Sequence, residues 1–113
     1  MYNIINQQGE FKMFNYYKIK SSNLKMVKTI YGEQYVLEIS PKFIEGRRHE
    51  DPKPVNVGWL PKFLFFKKTG NYRIFKVKAD SAYDKRLKAL IPTLTDPWGF
   101  VSAISEADAE RAE

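Results

Sequence analysis

Cysteine is absent from this 113-residue chain, and histidine occurs once. The first absence excludes disulfides, thiolate metal sites and a cysteine nucleophile. The second confines any histidine-based triad to His49 and leaves no histidine pair for a metal ion. His49 lies among charged neighbours in a loop-like stretch, where a solvated histidine is the ordinary outcome. The six glycines, at 9, 32, 46, 58, 70 and 99, are never closer than twelve residues. That spacing excludes a glycine-rich phosphate cradle or a dinucleotide fingerprint. Long apolar runs are missing too: none approaches the roughly 18 residues of a membrane span, and the N-terminal residues lack a signal-peptide pattern. The expectation is a soluble, cytoplasmic protein without cofactor or metal.

Carboxylates can converge from distant positions without a local signature. Six of the thirteen acids here have other assignments: Glu38 on a hairpin face, Asp84 in a helix cap, four more in the terminal segment. Glu10 and Lys12 have the spacing of a nuclease half-motif, a match short enough to recur by chance. The sequence therefore points away from an enzyme.

What is present in excess is aromatic and basic. Aromatic residues make up 15% of the chain, with eight Phe and seven Tyr, and the formal net charge is +6. Residues 102–113, "SAISEADAERAE", carry Glu106, Asp108, Glu110 and Glu113 against Arg111, a balance of −3 that leaves +9 on residues 1–101. A basic body with an acidic end is the asymmetry found in chains that meet polyanions. Length and composition fit one domain over 1–113, with 102–113 an acidic terminal helix or tail.

Along the chain, Phe14–Lys20 ("FNYYKIK") reads as a strand whose alternation breaks at Tyr16-Tyr17. Leu24–Ser40 reads as a hairpin closed by a two-residue turn at Gly32-Glu33, with Met26, Ile30, Tyr35, Leu37 and Ile39 on its core face. The 41–61 stretch holds four prolines, two glycines and a charged knot including Arg47 and Arg48, and reads as a long loop with a short strand at 55–59. Ser81 with Asp84 three residues on predicts a helix start, and Tyr83, Leu87, Leu90 and Ile91 form its apolar stripe up to Pro92. Pro97 suits a helix start that Gly99 weakens, and Ser105–Asp108 offers the cap of a separate final helix. No repeat is visible.

The stretch "FLFFKKTGNYRIFKVK", Phe63–Lys78, predicts a second hairpin around Gly70-Asn71. Its register pairs Thr69 with Tyr72, Lys67 with Ile74, Phe65 with Lys76 and Phe63 with Lys78 on one face, and places Leu64, Phe66, Phe75 and Val77 on the core face. The first face interleaves Phe63, Phe65 and Tyr72 with Lys67, Lys76 and Lys78. Rings are platforms for unpaired bases and lysines neutralise phosphates, so these six residues, with Arg47 and Arg48 adding positive potential, are the candidate site for single-stranded DNA or RNA. Duplex DNA fits less well, because no helix offers a dense basic reading face. Two other outcomes are open: lysine stems lying over the rings, or C-terminal helices bearing Trp98, Phe100, Val101 and Ile104 covering the face. A protein partner, using the same patch or the 41–61 loop, is the alternative function.

The fold expected from this order is α+β, mainly β: an antiparallel sheet of five or six strands, curled into a small barrel or half-barrel, followed by one or two C-terminal helices.

Overall fold

The computed structural model describes residues 13–46, 53–95 and 99–113. Arg47, Arg48 and Trp98 lie outside them. Seven strands are seen among the described residues: β1 (Phe14–Lys20), β2 (Leu24–Thr29), β3 (Gly32–Ile39), β4 (Val55–Pro61), β5 (Phe65–Thr69), β6 (Tyr72–Lys78) and β7 (Val101–Ile104). Helix α1 (Ala82–Leu90) follows β6, and helix α2 (Glu106–Arg111) follows β7. The class is α+β, mainly β, as the element order predicts.

The strands form two antiparallel sheets, one ordered β5-β6-β1-β7 and the other β2-β3-β4. This corrects the expected single sheet or half-barrel of five or six strands, and β7 falls between the two helices where the helices were expected to follow all the strands. Chain crossings between sheets occur at two 3-10 turns, Ser21–Asn23 and Lys62–Leu64, each joining a strand of one sheet to a hairpin of the other. The order strand, 3-10 turn, strand, two-residue turn, strand thus occurs twice, over 14–39 and 55–78. Each copy lends its first strand to the other's hairpin: β1 pairs with β6, and β4 with β3. Ile19 and Leu60, Leu24 and Phe65, Tyr35 and Phe75, and Leu37 and Val77 hold matching places in the two copies, all in or against one core. The likeness is one of hydrophobic places, invisible as residue identity.

Alternation supplies that core. Tyr17 and Ile19 of β1, Tyr35, Leu37 and Ile39 of β3, Leu60 of β4, Phe75 and Val77 of β6 and Val101 of β7 are buried together. Each fully buried side chain of this size contributes roughly 1.5–3 kcal/mol. The rings of Tyr35 and Phe75 meet edge to face at 5.4 Å, a favoured geometry for aromatic quadrupoles. Helix α1 adds Leu87, flanked by Tyr83, Leu90 and Ile91, to the same core. Its Ser81 cap accepts from the Asp84 N–H at 3.3 Å, as the sequence predicts.

Asp84 does more than cap. Fully buried, it accepts from the Tyr17 hydroxyl at 2.6 Å, from Asn15 Nδ2 at 3.1 Å and from the Asp80 N–H at 2.8 Å, with Lys88 Nζ 3.2 Å away. Burial pushes its pKa up, but the hydrogen bonds from Tyr17, Asp80, Asn15 and Lys88 outweigh that and hold it down at about 2. Burial, and then the bond to Asp84 and its charge, raise the Tyr17 phenol well above its ordinary range. This cluster ties α1 to β1.

Two hairpin registers depart from expectation. The first turn is Ile30-Tyr31, not Gly32-Glu33: Thr29 pairs with Gly32 and Met26 with Tyr35. Gly32 takes φ +103° just past the turn, where a residue with a Cβ would be strained. Thr29 Oγ1 accepts from the Tyr31 N–H and donates to the Gly32 carbonyl, which locks the turn. Ile30 is consequently 91% exposed; Met26 keeps Tyr35's side of the sheet but, on the edge strand, is partly open to water and outside the core. The second hairpin turns at Gly70-Asn71 as predicted, with φ +57° at Gly70. Its register then shifts between Phe65 and Lys67, so that Phe65, not Phe66, sits opposite Phe75.

The 99–113 region also differs. Val101–Ile104 is an edge strand on β1, not a continuation of a helix from Pro97, while Ser105 caps a separate helix by accepting from the Asp108 N–H.

Candidate nucleic-acid interface

Because Tyr17 and Ile19 point into the core, Phe14, Tyr16, Lys18 and Lys20 of β1 point to the outer face of the four-stranded sheet. On β6 the same logic turns Tyr72, Ile74, Lys76 and Lys78 outward, opposite Phe75 and Val77. Antiparallel register brings the two rows together: Phe14 pairs with Lys78, Tyr16 with Lys76, Lys18 with Ile74 and Lys20 with Tyr72. Rings and ammonium groups meet diagonally. Lys76 Nζ lies 4.5 Å from the Phe14 ring centroid, and Lys18 Nζ lies 4.6 Å from that of Tyr72.

The bulge on β5 completes the face. One extra residue reverses the side of everything before it, so Phe66 turns outward, 5.4 Å from the Tyr16 ring, and Phe65 turns inward. Lys67 remains on the outer side, its Nζ 5.6 Å from the Phe66 ring. The Phe65 ring packs at 6.1–6.2 Å from Phe75 and Tyr35, so it helps to build the core. Phe63 leaves the hairpin altogether: it sits on the Lys62–Leu64 turn, 79% exposed.

These placements open a groove of about 350 Å³ walled by Phe14, Phe63, Leu64, Phe65, Phe66, Lys76 and Lys78. Four residues singled out from the sequence, Phe63, Phe65, Lys76 and Lys78, therefore line one concavity, with Phe65 as a wall rooted in the core. Tyr72 and Lys67 share the outer face but do not line the groove. No protein family, curated protein or solved structure matches this chain. The site must be read from its own chemistry.

That chemistry is a set of flat apolar walls beside two flexible cations, 42% of Phe14 and most of Phe63 being open to water. Sequence reasoning missed Phe14, Tyr16, Lys18, Lys20 and Phe66. The four on β1 were visible as an aromatic and basic strand, but only sheet order shows that β1 lies next to β6. Phe66 needed the bulge, which has no glycine or proline to announce it.

The middle of the face is covered. Tyr16 and Ile74 are buried beneath α2, whose Ala109 is fully enclosed against them, with Phe66, Ile104 and Ala112 packed around. The C-terminal segment thus covers Ile74 and leaves the groove open. Among the described residues no group of three or more His, Asp or Glu side chains converges, and no helix is long and apolar enough to cross a membrane.

Proposed function

We propose that this protein is a non-catalytic, cytoplasmic binder of single-stranded DNA or RNA, using the groove and the outer face of the four-stranded sheet. The observation that carries the reading is the groove itself. Its exposed Phe14 and Phe63 rings offer stacking surfaces, and Lys76 and Lys78 stand beside them to neutralise phosphates. Lys18, Lys20, Lys67 and Tyr72 extend the same character across the sheet. A duplex cannot offer its bases to rings without unstacking, so single strands are the preferred ligand. Arg47 and Arg48 add positive charge within the same proposal.

A protein partner is the second reading. It is favoured by the tip of the first hairpin, where Ile30 and Tyr31 are 91% and 83% exposed, and by the half-open Trp59 on the other sheet. Isolated apolar residues are common at surfaces, but two adjacent large ones at a turn tip make a natural knob for a pocket.

Fluorescence anisotropy with a labelled mixed-sequence 20-mer, single-stranded and duplex, at two salt concentrations separates the readings. Single-strand preference that weakens steeply with salt supports the first. Absence of binding at low salt removes it and turns attention to the hairpin tip.

A further inference from the structure

We propose that residues 105–113, docked as an acidic helix on the basic outer face, are a displaceable strap that a single-stranded polyanion must push aside to occupy the whole face. The inference rests on the reading of that face as a nucleic-acid site and concerns its regulation.

Four observations converge. The strap covers the residues that lie between the two open ends of the face: Tyr16 and Ile74 are buried beneath Ala109. It also occupies a cation that the ligand would use, since Lys67 Nζ donates to the Glu110 carbonyl at 2.9 Å and to the Ala112 carbonyl at 3.1 Å. Beside Lys67, Thr69 Oγ1 donates to the Glu113 carbonyl. Its charge suits the surface beneath: the Asp108 carboxyl is held below its usual range by hydrogen bonds from Arg111 and Ser105, with a smaller contribution from Lys18 on β1. Finally, its anchorage is slight. The helix has six residues, far short of the roughly 12–15 needed for stability alone, and its apolar contacts are two alanines.

Strap and nucleic acid would thus compete for the same groups. Release frees Lys67, opens Phe66 and bares Tyr16, which lies one outward position from Phe14, about 6.7 Å along β1. The stacking surface then runs on from the groove across the sheet. With the strap docked, the stacking surface is interrupted at Tyr16 and does not run on from the groove.

The test uses the full chain. Asp108→Asn/Glu110→Gln removes two charges from the strap, and Glu38→Gln/Glu45→Gln removes two from elsewhere. The strap variant is expected to bind a labelled 20-mer of thymidines about fivefold more tightly than the control variant at low salt. Hydrogen exchange gives the second readout: the Ala109 and Ala112 amides, which donate to the Ser105 and Asp108 carbonyls, should lose protection when the oligonucleotide is added to the unaltered protein. Equal gains in both variants, or binding with the two amides still protected, would overturn the strap and leave the site standing. No binding by any of the three proteins would bring down the site and the strap together.

Discussion

The ammonium of Lys76 on β6 stands 4.5 Å from the centre of the Phe14 ring on β1. In the free protein the lysine shields the ring, as a long stem does on a wet apolar surface. A base stacking on Phe14 would displace that ammonium, and a phosphate close by would receive it. One pair therefore offers both halves of the proposed recognition.

The rings are tested first. Phe63→Ala, at a largely exposed position, should leave the melting temperature within a few degrees of the parent, and it should cost about 1–3 kcal/mol of oligonucleotide affinity for one lost stack. Phe14→Ala should behave similarly. Phe65→Ala is the contrasting variant: its ring packs against Tyr35 and Phe75, so its chief effect should be a loss of stability, seen by thermal melting. Unchanged affinity in both Phe63→Ala and Phe14→Ala would sink the stacking account.

The lysines are read through salt. If Lys76 and Lys78 each neutralise a phosphate, the double change to Gln should flatten the slope of log K against log salt by about 1.4, or roughly 0.7 per single-strand phosphate. A weaker complex with an unaltered slope would mean that these side chains act by packing alone.

Asp84 makes a pH prediction whose sign follows from its position. Its folded pKa, about 2, lies below the ordinary carboxylate value, so the charged form is favoured by folding. The resulting stability, about 2 kcal/mol, is fully present above pH 4 and is lost as pH falls through 4 towards 2. In Asp84→Asn that acid-labile part should vanish, and stability at neutral pH should fall by a similar amount, because Lys88 and the Tyr17 hydroxyl lose their carboxylate. Urea unfolding between pH 2 and 6 measures both. An unchanged acid limb in the variant would show that Asp84 is not the group responsible.

The first hairpin turn can be checked by two neighbouring alanines. Gly32→Ala places a Cβ at φ +103° and should destabilise by about 1–2 kcal/mol, whereas Glu33→Ala, on ordinary strand backbone, should lose well under 1. Equal effects would contradict the positive φ that the backbone takes at Gly32.

Local signals in the chain were legible where the local rule had no rival. Phe14–Lys20 is the first strand to the residue, and the Ser81 cap with Tyr83, Leu87 and Leu90 is α1 packed as predicted, Ile91 following just past its end. The break in alternation at Tyr16-Tyr17 also had meaning. Both are buried because each face of β1 is covered, one by the main core and the other by α2. The turn at Gly32 misled because glycine at positive φ serves equally within a turn or just past it; the Thr29 side chain decided between them.

The candidate site was only half legible. Lys76, Lys78 and Phe63 could be picked out as an aromatic and basic cluster, yet the assumed unbroken register put Phe65 beside them on the outer face. A bulge costs little and leaves no compositional mark, so pairing arithmetic cannot anticipate it. Once Phe66 is the extra residue, Phe65 belongs to the core and Phe66 to the face.

By itself, the sequence determined the class, most strand and helix positions, the second hairpin turn, and the separation of a basic body from an acidic end. These follow from side-chain period, turn chemistry and charge, which act over a few residues. Only tertiary structure decided that there are two sheets, that β1 lies beside β6, and that the acidic helix rests on the lysine face. Strand partnership is settled by which apolar faces fit together across long stretches of chain, a global condition that no local pattern encodes.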